Sequence, residues 1–224
     1  MKNISLAFYF SWIICLFFIS CGKDNYEAPS SQLTGRITYE GKPVGVRGSN
    51  NSVKLQLWQN NYPLKTPIDL YVSQDGSFSA QLFDGEYQII TIPGNGPWEH
   101  KADTIVTQVN GNSSIEFPVS LFYELSDIEY SLEGTVLKVT LQTQQIDSTK
   151  EIEGITLLVN NTQFVDLSYN KKQNSEITLQ NGKTVISMDI GAELENYPIL
   201  FARVALKING ITEAIYDPTV YQVQ

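Results

Sequence analysis

Apolar and polar positions alternate with a period of two through most of the chain, most densely over residues 71–98, YVSQDGSFSAQLFDGEYQIITIPGNGPW. Phe78, Ala80 and Leu82 alternate with Ser77, Ser79 and Gln81; after a break, Tyr87, Ile89 and Thr91 continue the pattern. Such alternation buries one face of each strand. The breaks are Asp75-Gly76 and Asp84-Gly85, pairs whose tolerance of positive φ makes them strong hairpin signals. Pro93-Gly94-Asn95-Gly96-Pro97 then forbids a continuing ladder. The stretch reads as a single sheet-forming unit, a β meander ending in a stiff loop.

The same period appears on both sides. Upstream, Leu33, Gly35, Ile37 and Tyr39 form one inward row, Glu40-Gly41-Lys42-Pro43 a turn, and residues 46–52 a Gly/Asn-rich loop. Val53, Leu55 and Leu57, then Ile68, Leu70 and Val72, make two more rows on either side of a loop bracketed by Pro63 and Pro67. Downstream come Ile105, Thr107 and Val109, a turn at Asn110-Gly111-Asn112, and Ile115, Phe117 and Val119. Seven short strands at this spacing predict a β-sandwich over residues 33–119.

A second module begins at Leu121-Phe122-Tyr123-Glu124 and occupies residues 120–224. Its rows are Leu137, Val139 and Leu141; Ile155, Leu157 and Val159; and Leu200, Ala202, Val204, Leu206 and Ile208, the last alternating with Phe201, Arg203, Ala205 and Lys207. Asn181-Gly182 predicts a type I′ hairpin. Residues 142–153 are polar without helical period and read as a loop, and no segment reads as a helix. The fold class is therefore all-β: two tandem sandwiches, the second immunoglobulin-like or fibronectin-like.

The first 20 residues differ. Lys2 precedes an apolar run from Ile4 to Ile19, which is too short for the roughly 20 residues of a membrane span and has the shape of a secretory signal peptide. Phe18-Ile19-Ser20-Cys21 resembles the bacterial lipobox, with Phe where Leu is usual, which implies acylation of Cys21. An ordinary signal peptide cut nearby, or a retained helix, are the alternatives. Gly22-Lys23-Asp24-Asn25 resembles the acidic export tag of Bacteroidetes surface lipoproteins. Residues 21–32 form a lipidated tether in this reading. Cys15 leaves with the signal peptide and Cys21 carries lipid, so the mature chain has no thiol for a disulfide, a nucleophile or a metal.

The net charge of −9 argues against a nucleic-acid partner, since phosphate contacts need clustered Lys and Arg. Enzymatic readings also fail. His100 stands alone, without a G-x-S-x-G elbow or a second histidine for a metal, and reads as a solvated loop residue. Asp75, Asp84, Glu86 and Glu99 are the carboxylates nearest one another in sequence, but turn geometry already accounts for the two aspartates. Ser73-Gln74-Asp75-Gly76 lacks the repeated carboxylates of a calcium loop. No catalytic residue, metal or cofactor is assigned.

Aromatic residues offer binding chemistry. Trp58 is out of phase with Leu55 and Leu57 and projects from the polar face with Lys54 and Gln56; Tyr62 follows on the adjoining loop, and Trp98 sits on the Pro-Gly loop. An indole presents an apolar face to sugar CH groups while its N–H keeps a polar partner. In the competing reading, Trp58 covers the interface between modules and Trp98 plugs the end of the sandwich.

LTGRITYEGKPV, VKLQLW and DGSFSAQLFDGEYQI in that order resemble the transthyretin-like, carboxypeptidase-regulatory-like fold. With FDGEYQII and GNGPW, and with LFARVALKING followed by YDPTVYQV, the chain resembles an uncharacterised family of Bacteroidetes outer-membrane lipoproteins. Members are usually encoded in glycan-utilisation loci, beside outer-membrane importers and glycan-binding lipoproteins. The resemblance implies a non-catalytic lipoprotein, anchored in the outer membrane facing the cell exterior, that binds glycan or contacts the importer or its glycan-binding partner. A structural module that grips proteins and no glycan is the alternative. Asp103-Thr104-Ile105 and Asp147-Ser148-Thr149 resemble Bacteroidetes O-glycosylation sites.

Overall fold

The computed structural model describes residues 27–59, 65–101, 104–176 and 182–224. Cys21, Tyr62, Asp103 and Asn181 lie outside them. Two sandwiches follow one another along the chain.

In the first module β1 (Ser31–Tyr39) is the central strand of one sheet. β2 (Lys42–Pro43) and β5 (Ser77–Leu82) pair antiparallel with successive lengths of it, and β8 (Asn112–Pro118) runs parallel along its other edge. The facing sheet has the order β4 (Ile68–Tyr71), β3 (Lys54–Trp58), β6 (Gly85–Thr91), β7 (Ile105–Val109). Leu33, Ile37, Leu55, Leu57, Tyr87 and Ile89 fill the space between, each at most 1% exposed. Each contributes about 1.5–3 kcal/mol of apolar burial.

The expected meander is not formed. β5 lies in the sheet of β1, and β6 in the sheet of β3. Asp84 closes no hairpin: its carboxylate accepts hydrogen bonds from the Ser31 hydroxyl and, at 3.2 Å, from the Gly111 N–H, tying three segments at one end of the sandwich. Only a bridge between Val72 and Phe78 spans the Asp75-Gly76 turn before the chain changes sheets. Alternation specifies which face is buried but not which strand lies alongside, so two strands facing one core from opposite sheets look like a hairpin in sequence.

The second module packs β9 (Tyr123–Glu133), β10 (Val136–Gln145) and β13 (Lys183–Asp189) as one sheet. Against it lie β11 (Ile152–Asn160), β12 (Lys172–Glu176) and β14 (Phe201–Ile208), with β15 (Ile215–Tyr216) and β16 (Tyr221–Gln222) along the outer edge of β14. Two expectations are corrected. Residues 142–145, read as loop, complete β10; their pairing partners in β9 carry them although their own pattern is polar. A short helix α1 (Gly191–Asn196) follows β13, too brief for a helical period to register in sequence, with Leu194 packed on the core. β12 and β13, which flank the Asn181-Gly182 position, belong to different sheets.

A buried cation joins the modules. Arg203 points from the outer side of β14 and is 0% exposed. Its Nε donates to the Asp217 carbonyl (2.7 Å), Nη1 to those of Val46 (3.1 Å) and Val165 (3.4 Å), and Nη2 to that of Gln74 (2.5 Å). Its guanidinium lies 4.7 Å from the ring centre of Tyr216. Burial lowers its pKa to about 10, so it remains charged at neutral pH, and burial raises the Tyr216 hydroxyl to about 12. Val46 and Gln74 belong to the first module, Val165 and Asp217 to the second. Tyr216 also bridges to Gly45, where an added Cβ would stand 2.4 Å from the Tyr216 carbonyl, so only glycine permits the approach. Around this centre Arg47 pairs with Glu213 at 2.9 Å, and the Ser49 N–H donates to Asp166 at 3.1 Å.

Replacing Arg203 with Leu leaves the buried Val46, Val165 and Asp217 carbonyls without their donor and the Gln74 carbonyl with the Val46 N–H alone, and the unfolding free energy should fall by about 3 kcal/mol. Arg203→Lys, a point charge without the planar fork, should recover less than half of that. Denaturant unfolding monitored by fluorescence measures both; an unchanged midpoint for Arg203→Leu would mean the seam is held elsewhere.

Candidate functional site

Strand register in the first module builds a polar concavity. Across the outer side of the sheet, Ser79, Thr34 and Ser114 stand in one row, and Ser77, Arg36 and Glu116 in the next. These residues alternate with the buried Leu33, Ile37 and Phe78, which is why their side chains point outward. Because β2 and β5 occupy successive lengths of the same edge of β1, a notch remains between them. Tyr71, Ser73 and Pro43 close it, leaving a cleft of about 640 Å³.

The Ser73–Ser77 turn forms one wall. The Asp75 carboxylate accepts from the Ser77 amide (3.0 Å) and hydroxyl (2.6 Å), and lies 3.5 Å from Arg36. Partial burial pushes the Asp75 carboxyl up; the Ser77 hydroxyl and amide and the Arg36 guanidinium outweigh that and hold it below its ordinary value. Gly76 at φ +82° lets the turn close against the Val44 carbonyl, which an added Cβ would approach to 2.4 Å. The Gln74 carbonyl, in the same turn, is the Arg203 acceptor described above. Tyr71 is 46% exposed, with Lys54 Nζ 5.9 Å from its ring centre and that lysine paired to Asp69 at 2.6 Å. Hydroxyl rows, one guanidinium, the carboxylates of Asp75 and Glu116 and an exposed aromatic ring together offer donors, acceptors and a stacking face within one concavity.

The residues singled out in sequence lie elsewhere. Trp58 is half-buried on the outer side of the other sheet, in register with Gln88 and Val106, and its Nε1 is buried without a partner among the described residues. Trp98 is 5% exposed and bridges to Leu121 where the modules meet; the ring covers Gly96, whose added Cβ would come within 2.3 Å of it. Trp98 therefore takes the plugging role and offers no face to a ligand, and the two indoles form no common platform. Tyr62 lies outside the described residues.

Asp75 and Asp84 sit at opposite ends of β5, Asp75 engaged in its own turn and Asp84 with Ser31 and Gly111, and do not face one another across a cleft. His100 is exposed, with Nδ1 2.9 Å from the Thr91 hydroxyl. Among the described residues no cluster of three His, Cys, Asp or Glu could hold a metal. Asp147 accepts from the Thr149 amide and hydroxyl, both at 2.8 Å, closing a local turn. Thr34, Arg36, Ser77 and Ser79 were visible as outward positions of two patterned strands. Nothing in sequence showed that β8 joins them in parallel.

Residues 31–120 match the family model "Protein of unknown function (DUF3823) N-terminal domain", and residues 123–221 match "Domain of unknown function (DUF3823_C)". The chain belongs to the DUF3823 family. A DUF3823 protein from Parabacteroides merdae is 34% identical, superposes with a TM-score of 0.82, and covers 88% of this chain and 100% of its own. Another from Bacteroides ovatus is 26% identical with a TM-score of 0.79, over 87% of this chain and 100% of its own. The fold also matches a "putative carbohydrate binding protein" from Bacteroides uniformis, 16% identical, TM-score 0.69, over 87% of this chain and 100% of that one. Comparison with curated proteins gave no match. The DUF3823 models carry no catalytic assignment.

Because Asp75 is held below its ordinary value in the fold, the stability it contributes is present above the unfolded carboxylate value of about 3.9 and is lost as pH falls through the folded value. Thermal unfolding should accordingly lose less between about pH 6 and about pH 3 in Asp75→Asn than in the wild type. Equal losses would show that the turn carries none of the acid sensitivity.

Proposed function

We propose that this DUF3823 protein binds carbohydrate without transforming it, in the cleft lined by Thr34, Arg36, Ser77, Ser79, Ser114 and Tyr71, and that it does so in service of glycan uptake. The observation that carries this reading is the pair of cross-strand rows, which aligns hydroxyls and a guanidinium at a regular spacing beside an exposed tyrosine ring. A polyhydroxylated ligand matches such an array because each sugar hydroxyl both donates and accepts, while its CH face stacks on an aromatic ring. The carbohydrate-binding name of a protein with the same fold supports it. So does the resemblance to lipoproteins encoded beside glycan importers.

In this proposal Cys21 anchors the protein in the outer membrane facing the cell exterior, with the importer and its glycan-binding lipoprotein as neighbours. β1 begins at Ser31, leaving residues 22–30 between the anchor and the first module.

Affinity gels and titration calorimetry against starch, xylan, glucomannan and polygalacturonate test the binding. At least one polysaccharide should retard the protein, and Arg36→Ala or Tyr71→Ala should each weaken that binding roughly tenfold. Retardation by none would leave contact with partner proteins as the function. Separately, a labelled fatty acid should be incorporated by the wild type and not by Cys21→Ala; a wild-type protein without label would remove the anchor.

A further inference from the structure

The loop between β11 and β12 carries two prominently exposed rings. Phe164 and Tyr169 are each 60% exposed, yet the residues between them are fixed. Val165 is 0% and Asp166 1% exposed. Asn160 Nδ2 donates to the Phe164 carbonyl (2.7 Å), Asp166 and Tyr169 exchange backbone hydrogen bonds at 3.1 and 3.0 Å, and the Leu167 N–H donates to the Tyr216 hydroxyl (3.2 Å). The rings are thus presented by an ordered backbone, which lowers the entropy lost when a ligand settles on them.

This loop joins the wall of the cleft. Gln74 Nε2 donates to the Gln163 carbonyl at 3.0 Å, and Gln74 stands between Ser73, which lines the cleft, and Asp75, which faces Arg36. Arg203 holds the carbonyls of both Gln74 and Val165. One guanidinium thereby fixes the cleft wall and the aromatic loop relative to each other.

We propose that the binding surface crosses the module boundary, from the cleft over Gln74 to Phe164 and Tyr169, and that its ligand is an extended, uncharged oligosaccharide. This rests on the carbohydrate reading of the cleft. Length follows from stacking positions on both modules. Neutrality follows from charge: the exposed loop side chains Thr162, Gln163, Phe164, Ser168 and Tyr169 carry none, and the exposed cation at the loop's end, Lys171, stands over the Tyr197 ring, 5.6 Å from its centre. Arg47, which reaches Ser168, is already paired with Glu213, and Arg36 stands among Asp75 and Glu116 on a chain of net charge −9. A uronate chain would meet net repulsion there.

Calorimetry with disaccharides and longer oligosaccharides cut from whichever of starch, xylan or glucomannan retards the wild type tests this, with polygalacturonate as the acidic comparison. The double variant Phe164→Ala, Tyr169→Ala should bind the longer oligosaccharide about tenfold more weakly and the disaccharide unchanged, and Phe164→Tyr should retain long-chain binding. Arg36→Ala should weaken both lengths. Equal affinities of the double variant and the wild type for the long chain would overturn the extension and leave the cleft reading standing. Preference for polygalacturonate would overturn neutrality. Retardation by no polysaccharide would take down both readings.

Discussion

The structure turns on a guanidinium removed from water. Arg203 has no hydrogen-bonded carboxylate partner; its charge is met by four backbone carbonyls from four separate segments and by the face of Tyr216. Desolvating such a cation costs several kcal/mol unless its donors are satisfied, so the arrangement holds only while all four segments stay in place. That requirement makes the two sandwiches cooperative at their seam. A hydrophobic residue at the same position could fill the volume, but it could not specify which loops converge, because apolar contact is non-directional.

Around that centre the second module is braced from within. The Tyr130 hydroxyl donates to Asp217 at 3.0 Å, accepts from the Val204 N–H at 3.0 Å, and its ring stacks on Tyr221 with centres 4.9 Å apart. Burial raises the Asp217 carboxyl, and burial and the nearby Asp217 raise the Tyr130 hydroxyl. β9 and β14, from opposite sheets, are therefore joined by a polar link at the segment that supplies one of the Arg203 acceptors. The same guanidinium sets the Gln74 carbonyl, and through it the turn that walls the proposed binding cleft. Rigidity at the seam and shape at the cleft are one property of this DUF3823 protein.

The cleft itself is a product of pairing. β8 runs parallel to β1 and brings Ser114 and Glu116 alongside Thr34 and Arg36, while β5 brings Ser79 and Ser77 to the other flank. Moving either strand by one residue would turn these side chains into the core. Of the two tryptophans singled out in sequence, Trp98 was taken by packing, plugging the junction over Gly96, while Trp58 stays half-buried on the opposite sheet with its nitrogen covered. A large apolar ring near an unfilled end of a sandwich gains more by burial than by exposure.

Residue pattern alone determined the all-β class, the two modules, most strands and the inward rows, because period-two alternation is a direct trace of one-sided burial. It also marked Thr34, Arg36, Ser77 and Ser79 as outward. It could not assign β5 and β6 to opposite sheets, since both bury the same alternation against one core. Arg203 looked like an outward residue of a half-exposed strand; loops of both modules closing over β14 buried it. Exposure of Phe164 and Tyr169 was likewise undecided, because their loop has no period to read. Pattern is local and records a face; partners, register and module contacts are made by segments distant in sequence, and only the folded chain brings them together.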